Sequence, residues 1–544
     1  MTEPYPGANL TVSDLFHALD AKIFEQITLA RSAHRTLNPF TCQVISELRA
    51  GVKCLLARIQ ELKNSFQPAQ RLPAEMILEV GTHLNPRSLL HGDCRPLLAA
   101  SQVCRYWRNM LISNADNWRF ISSEYIDLAP LFLGRSGSLS LEVNLTDTHL
   151  SDAIQLINPH SSRLAVLRCN VREANSVFFG RLSQLGRSPN LHTFSITSTK
   201  VPNEPRGFVE IPVVLDRMFS LRTLELLPFQ VFPRSLPCNR LTNLQLEVTY
   251  STLTSVLDFL GANPSLRRVR LIGNFKDSND TRATGSIVLK HLRFISVERC
   301  IPRTLLDKLS LSRTTRIFIH YNLTLGQYLP FVFVLPPSVQ RYKCLQELTS
   351  LYVLTTRTNE TYIDATGRNG STALRFGDVH DTSPVFTVVG SLPVRGVTRL
   401  TCEFHPLVAS TSMDKVTRMI EVLPHLEEIT VVHFGRERTQ HFLSVLMDTS
   451  KWTGLLKLKF VHCSRTKHWV GDLIQVAIER KDEVLMLDTV TVVYKEGERV
   501  KELFDVLEGF VGTLELVEER EATRSELVWD GDDYTARLTS ALIS

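Results

Sequence analysis

The sequence contains no apolar run long enough to cross a membrane as a helix. Such a span takes roughly 18 or more apolar residues, and the longest candidate, residues 328–335, is closed by Pro336 and Pro337. The opening, MTEPYPGANL, has neither the basic head nor the apolar stretch of a signal peptide. Cysteine is sparse as well: the ten stand singly, at 42, 54, 94, 104, 169, 238, 300, 344, 402 and 463, with no C-x-x-C pair. That spacing excludes a dense disulfide framework and predicts reduced, mostly buried thiols in the cytoplasm or nucleus. An excess of one charge is also missing. Against 61 Lys and Arg stand 56 Asp and Glu, a formal +5 over 544 residues, which gives no whole-chain reason to expect a nucleic-acid partner.

Catalytic signatures are absent too. None of G-x-x-x-x-G-K-[ST], G-x-G-x-x-G, G-x-S-x-G or H-E-x-x-H occurs, so phosphate cradling, dinucleotide binding, serine hydrolysis and zincin chemistry have no starting point. His462, Cys463 and His468 are metal-ligand types, but no second cysteine pair completes a tetrahedral set. Asp530, Asp532 and Asp533 lack the correctly placed glycine and the terminal glutamate of a calcium loop. No cysteine comes with a recognisable activating base. The expectation is a non-catalytic protein that uses no metal and no cofactor.

What is present falls into three zones. Leu15, Leu19, Ile23 and Ile27 recur at steps of four, and Asn38-Pro39 breaks the run. Ile45, Leu48, Val52, Leu55, Ile59 and Leu62 then alternate steps of three and four. Residues 1–66 therefore read as a helical hairpin whose second helix carries an a/d seam. The seam either packs on its own domain or joins two copies in a weak homodimer.

The zone from residue 126 to the end carries the strongest periodicity. The hexad L-x-x-L-x-L, with other apolar residues allowed, starts at Leu164, Leu191, Leu221, Leu241, Leu266 and Leu292. It resumes at Val397, Leu426, Leu455 and, more weakly, Leu487. A period of about 20 to 30 residues predicts a leucine-rich repeat solenoid, one short strand per turn with a helix closing the coil. Asn-Pro-Ser-Leu (263–266), Ser-Pro-Asn-Leu (188–191) and Leu-Pro-His-Leu (423–426) repeat the helix-to-strand junction. Between about 327 and 393 the hexad lapses into β-branched runs and turn-rich stretches, read as irregular strands or a long hairpin insertion.

Residues 67–125 form the zone between. The stretch from Arg71 reads RLPAEMILEVGTHLNPRSLLHGDCRPLLAASQVCRYWRNMLISNADNWRFIS. Pro73 suits the first turn of a helix, and Met76, Ile77, Val80 and Leu84 then share one face. A second helix is expected from Pro96 through Leu111. So short a segment cannot enclose that many large apolar groups, and some should face a partner. The segment resembles the F-box family in L-P-x-E-[MI]-[IL] at 72–77, apolar Val80 and Leu84, S-Q-V-C-R-Y-W-R at 101–108, and the N-x-x-x-W of Asn114 to Trp118. It is similar in particular to the large fungal, agaric-type group in which a heptad-bearing helix precedes the F-box and degenerate repeats follow. Gly81 departs from the pattern, standing where an aromatic or large aliphatic residue is usual, and the 85–95 connection is longer than in a minimal F-box.

The resemblance implies a fold of mixed class, α+β with an α/β repeat: a helical hairpin, a three-helix F-box and an irregular leucine-rich repeat array. It implies docking on a Skp-type adaptor held by a cullin. Leu72, Pro73, Met76, Ile77, Leu98, Val103, Trp107 and Leu111 match the adaptor-facing or core-forming positions, and the motif leaves open which are which. The implied role is substrate recognition in an SCF-type cullin-RING ubiquitin ligase, with catalysis in the partners. A repeat scaffold that binds a protein without engaging a ligase is the alternative. In a leucine-rich repeat the x positions of the hexad point to the concave face. Arg222, Arg267, Arg268, Arg270 and Arg293 occupy such positions, a basic patch suited to an acidic or phosphorylated segment of a protein substrate.

Overall fold

The heptad-bearing helix is present as α1 (Pro39–Ser65) in a computed structural model. The structure describes residues 21, 24, 25, 28, 39–65, 72–84, 93–172, 176–185, 188–198, 219–227, 240–248, 252–273, 286–298, 303–320, 342–355, 361–368, 372–377, 389, 392–404, 413–448, 450–463, 469–495 and 504–519. Leu15, Leu19, Ile23 and Ile27, on which the first helix of the expected hairpin rests, lie outside them. On the seam of α1, Val52 and Ile59 are half-buried and Leu55 is 55% exposed.

The chain divides into two compact units, 1–118 and 119–544. Beyond α1 the first contains α2 (Ala74–His83), α3 (Arg95–Ala100) and α4 (Arg105–Ser113). The single helix expected from Pro96 to Leu111 is thus two. Ser101 turns its hydroxyl back onto the Leu98 carbonyl at 2.7 Å, a local bond that competes with helix propagation. Cys104 is fully extended (φ −161°, ψ 173°) and starts α4 afresh by accepting the Trp107 N–H on its sulfur at 3.4 Å.

Among the described residues, the second unit is built on one 17-stranded sheet. β1 (Phe120–Ser122), β2 (Leu141–Thr146), β3 (Leu164–Val171) and β4 (Thr193–Ser198) pair in chain order, all parallel. β5 (Thr223–Leu227), β6 (Asn243–Glu247) and β7 (Arg268–Ile272) continue the series. β8 (Ile287–Val288) leaves the sheet to pair with β10 (Leu309–Ser310). β9 (Phe294–Glu298) therefore lies against β7, and β11 (Arg316–His320) against β9. β12 (Leu348–Thr355), β13 (Thr361–Gly367) and β14 (Thr372–Gly377) form an antiparallel meander. β15 (Arg399–Phe404), β16 (Glu428–Val432), β17 (Lys457–Val461), β18 (Leu487–Lys495) and β19 (Val511–Glu519) again run parallel in order.

Every expected hexad falls on one of these parallel strands, and all three apolar anchors of each copy are at most 3% exposed. Burial of each such side chain contributes about 1.5–3 kcal/mol relative to exposure, so the repeated leucines are what hold the sheet to its covering elements. Helices α5 (Ala129–Arg135), α6 (Leu150–Ile157), α7 (Ser176–Leu182) and α8 (Leu253–Ala262) connect strands in the first half, followed by the short α9 (Arg303–Asp307). α10 (Met413–Glu421), α11 (Arg436–Leu446) and α12 (Val470–Asp482) serve the second half. The Asn-Pro junction has a physical basis: buried Asn263 donates from Nδ2 to the Phe259 carbonyl at 2.8 Å, closing the end of α8 just before β7.

The stretch expected to interrupt the array does not break the sheet. β14 pairs with β11, Ile317 opposite Leu374, and β12 pairs with β15, Leu351 opposite Leu400. The order across the sheet is thus β11, β14, β13, β12, β15. Beyond the meander the interior becomes aromatic. Phe404, Phe434, Phe442, Phe460, Trp469 and Phe504 form a continuous run with successive ring centroids 5.2, 6.1, 6.4, 4.8 and 6.4 Å apart.

Candidate functional site

Each unit presents one candidate surface. In the first, Ile77, Leu97, Trp107, Leu111 and Trp118 are the interior, none more than 8% exposed. The Trp118 indole N–H and the Asn117 side-chain amide both donate to the Leu111 carbonyl, at 2.9 and 3.3 Å. They satisfy an acceptor that the last turn of α4 would otherwise leave open. This bond is the structural content of the Asn114-x-x-x-Trp118 motif. Gly81 is buried where α2 crosses α4, and a Cβ there would lie 2.7 Å from Leu111 Cδ2. The departure from the family's large residue is therefore matched by Leu111 and Asn117, which fill the space.

The candidate adaptor-facing residues now separate by burial. Ile77, Trp107 and Leu111 are core. Met76 and Val103 are 51% and 52% exposed, and Tyr106, which the sequence reading left out, is 36% exposed. Pro73 is exposed, while Leu72 and Leu98 are half-buried. Pro73 is one residue earlier than expected, at the N-cap rather than inside the first turn, with its carbonyl accepting the N–H groups of Met76 and Ile77.

The second surface is the N-terminal edge of strands β5 to β11. Arg222, Arg267, Arg268 and Arg293 are all exposed there. Arg270 is not equivalent to them. It is half-buried, and its guanidinium meets Glu298 with Nε on Oε1 at 2.5 Å and Nη2 on Oε2 at 2.9 Å. Ser296 donates to the same carboxylate at 3.1 Å. The anion expected for Arg270 is thus supplied from within the chain. Arg316 is exposed and opposite Phe294 in the register, as Arg268 is on the other side. Its repeat departs from the hexad in opening on Thr314 instead of an apolar residue. His192, beside this edge, is held below the usual histidine range by burial and, secondarily, by the charge of Arg222.

The cysteines behave as interior groups. Burial pushes the Cys344, Cys402 and Cys463 thiols up to about 12 and raises Cys94 and Cys169 as well, so these five remain protonated at neutral pH. Among the described residues no group of three or more His, Cys, Asp and Glu side chains is placed to hold a metal ion. No helix among them is long and apolar enough to cross a membrane.

No curated protein matches the sequence. Among solved structures, the leucine-rich repeat-containing protein LegL7 from Legionella pneumophila aligns at 11% identity and a TM-score of 0.21, over 65% of this chain and 84% of that one. The repeat architecture rests on the strand register and the buried hexads, and that likeness adds nothing to it. Residues 69–124, which contain α2 to α4 and the Trp118 closure, match the F-box-like family, and the chain carries an F-box-like domain there.

Proposed function

We propose that this chain is the substrate-recognition adaptor of an SCF-type cullin-RING ubiquitin ligase, acting in the cytoplasm or nucleus. Its F-box-like domain docks on a Skp-type adaptor, and its repeats hold a protein substrate for ubiquitin transfer by the partners. The observation that carries this reading is the F-box-like match at 69–124. The exposure of Met76 and Val103 is compatible with it, because both stand at positions matching the family pattern and are open to an apolar contact with a partner.

The test is co-purification of the full chain with a Skp-type adaptor and cullin, comparing wild type with Met76→Glu/Val103→Glu. A charge placed in an apolar interface core should abolish recovery of both partners while the far-ultraviolet circular dichroism stays unchanged. Undiminished recovery by the folded double variant would remove the docking surface from the proposal. Failure of the wild type to recover an adaptor would remove the ligase role.

A further inference from the structure

Charge on the sheet of the second unit is segregated along the strands, and the segregation is confined to the first half. Over β4 to β11 the second and third hexad positions are His192 and Thr193, Arg222 and Thr223, Thr242 and Asn243, Arg267 and Arg268, Arg293 and Phe294, and Thr315 and Arg316. They include five arginines and no carboxylate. The acids of the same strands come later in each: Glu225, Glu247 and Glu298. Glu298 already has Arg270. At the corresponding edge of the second half the signs alternate, with Glu427 and Glu428 between Arg399 and Lys457 and with Asp488 following.

The cations of the first half are strung out, not gathered to a point. From β5 to β11 there are four strand intervals of about 4.8 Å, so Arg222 to Arg316 spans about 19 Å. A single phosphate would want guanidinium groups converging on its few oxygens. A line of this length suits a chain of anions instead, and about six residues of extended peptide, at about 3.3 Å each, cover it. Near the far end of the line Phe294 lies between Arg268 and Arg316 in register and stacks on Phe318, ring centroids 6.4 Å apart at 25°. Phe294 is only half-buried, so it offers one apolar foothold amid the charges.

We propose that the edge formed by Arg222, Arg267, Arg268, Arg293 and Arg316 binds an extended acidic peptide, a run of Asp and Glu with an apolar side chain over Phe294, laid across the strands. This rests on the reading of the repeats as the substrate-holding part, and it names the class of substrate segment. Arg270 takes no part while Glu298 holds it.

The probe is a fluorescein-labelled peptide with a run of about six glutamates and one leucine, titrated by anisotropy against the full-length protein. Binding at low ionic strength that weakens steeply as salt is raised is expected, because exposed charges are screened over about 10 Å at 0.1 M salt. Arg267→Glu/Arg293→Glu should weaken it at least about tenfold, and Lys457→Glu/Lys459→Glu, in the second half, should leave it unchanged. Should the reversal variant misfold, Arg267→Gln/Arg293→Gln carries the same test with a smaller loss. Glu298→Gln, which releases Arg270, should tighten the peptide. Absence of binding by wild type, equal loss in the second-half variant, or stronger binding of a peptide with one phosphoserine and no acidic run would each overturn the proposal. Adaptor recovery is measured on the same preparations. Loss of the peptide with the adaptor retained assigns the effect to this edge, whereas loss of the adaptor in wild type bears on the ligase reading alone.

Discussion

Gly81 and Leu111 are in contact so close that a side chain added at Gly81 must displace the Leu111 methyl: a Cβ there would approach Leu111 Cδ2 to 2.7 Å. Glycine at this helical position forgoes about 1 kcal/mol of helix propensity relative to alanine, and the steric conflict outweighs that gain. Gly81→Ala should destabilise the F-box-like domain by about 1–3 kcal/mol through overpacking. Combining it with Leu111→Val should make the added methyl less costly than in wild type. A double-mutant cycle by urea unfolding that gave simple additivity would show that the two side chains do not compete.

Trp107 and Met76 have the same standing in the motif but opposite burial, 8% against 51% exposed. Trp107→Ala should therefore act through folding, at a cost of about 3–5 kcal/mol. Met76→Glu should leave stability within about 0.5 kcal/mol of wild type and act on adaptor recovery instead. Thermal melts alongside pull-downs separate the two effects.

On β6, Leu244 is 3% exposed, and Leu244→Ala should cost about 2–5 kcal/mol. Its neighbour Asn243 is half-buried and donates from Nδ2 to Thr223 Oγ1 at 3.2 Å. Asn243→Ala should then cost about 0.5–1.5 kcal/mol, the net value of one such hydrogen bond. Denaturant midpoints for the two variants check the ranking, and equal costs would mean the hexad register is shifted.

Val484 closes α12 in the left-handed region, φ 62°, while 89% exposed. Its N–H reaches the Lys481 carbonyl at 3.0 Å and the Leu485 N–H reaches that of Arg480 at 2.7 Å, a helix end normally given to glycine. A β-branched side chain pays a steric penalty there without burying anything. Val484→Gly should raise stability by about 1 kcal/mol, visible as a higher melting temperature.

Glu403 is 9% exposed and accepts the Tyr352 hydroxyl at 2.5 Å. Burial raises its pKa above the ordinary 4.5, and the Tyr352 bond pulls partly the other way. The folded state thus holds this proton more tightly than the unfolded one, so stability from this group is full at pH below 4.5. It declines as pH rises through the folded value. Tyr352→Phe removes the lowering contact and should steepen the decline, and Glu403→Gln should abolish it. Chemical unfolding at several pH values gives the slopes.

Much of the fold was legible because its signal repeats. Leu224, Val269 and Leu458 stand at one position of one hexad, and each copy supports the others. The break between α3 and α4 was not legible, because Leu97 and Leu111 both remain on an apolar face whichever way the chain turns at Ser101. The meander was only partly legible: Leu348, Leu351 and Val353 on β12 are a sound hexad inside the stretch read as a lapse, but the strand pairs antiparallel with β13 and parallel with β15 instead of following β11. Of the candidate site, the arginines of β5 to β9 were readable from spacing. Arg316 was concealed by a polar first position, and the capture of Arg270 by Glu298 depends on contact between two strands that no single-strand pattern encodes.

The reversed order of the meander also determines when each edge is covered as the chain emerges from the ribosome. β11 is made before β12, yet its neighbour in the finished sheet is β14, through Ile317–His320 against Leu374–Gly377. The first repeats can stack as fast as they appear, but β11 keeps an open row of amides and carbonyls until residue 377 has been synthesised. Unpaired edges of this kind template association with other chains. For the time it takes to translate those intervening residues, the nascent protein carries an open strand edge at its middle as well as at its growing end.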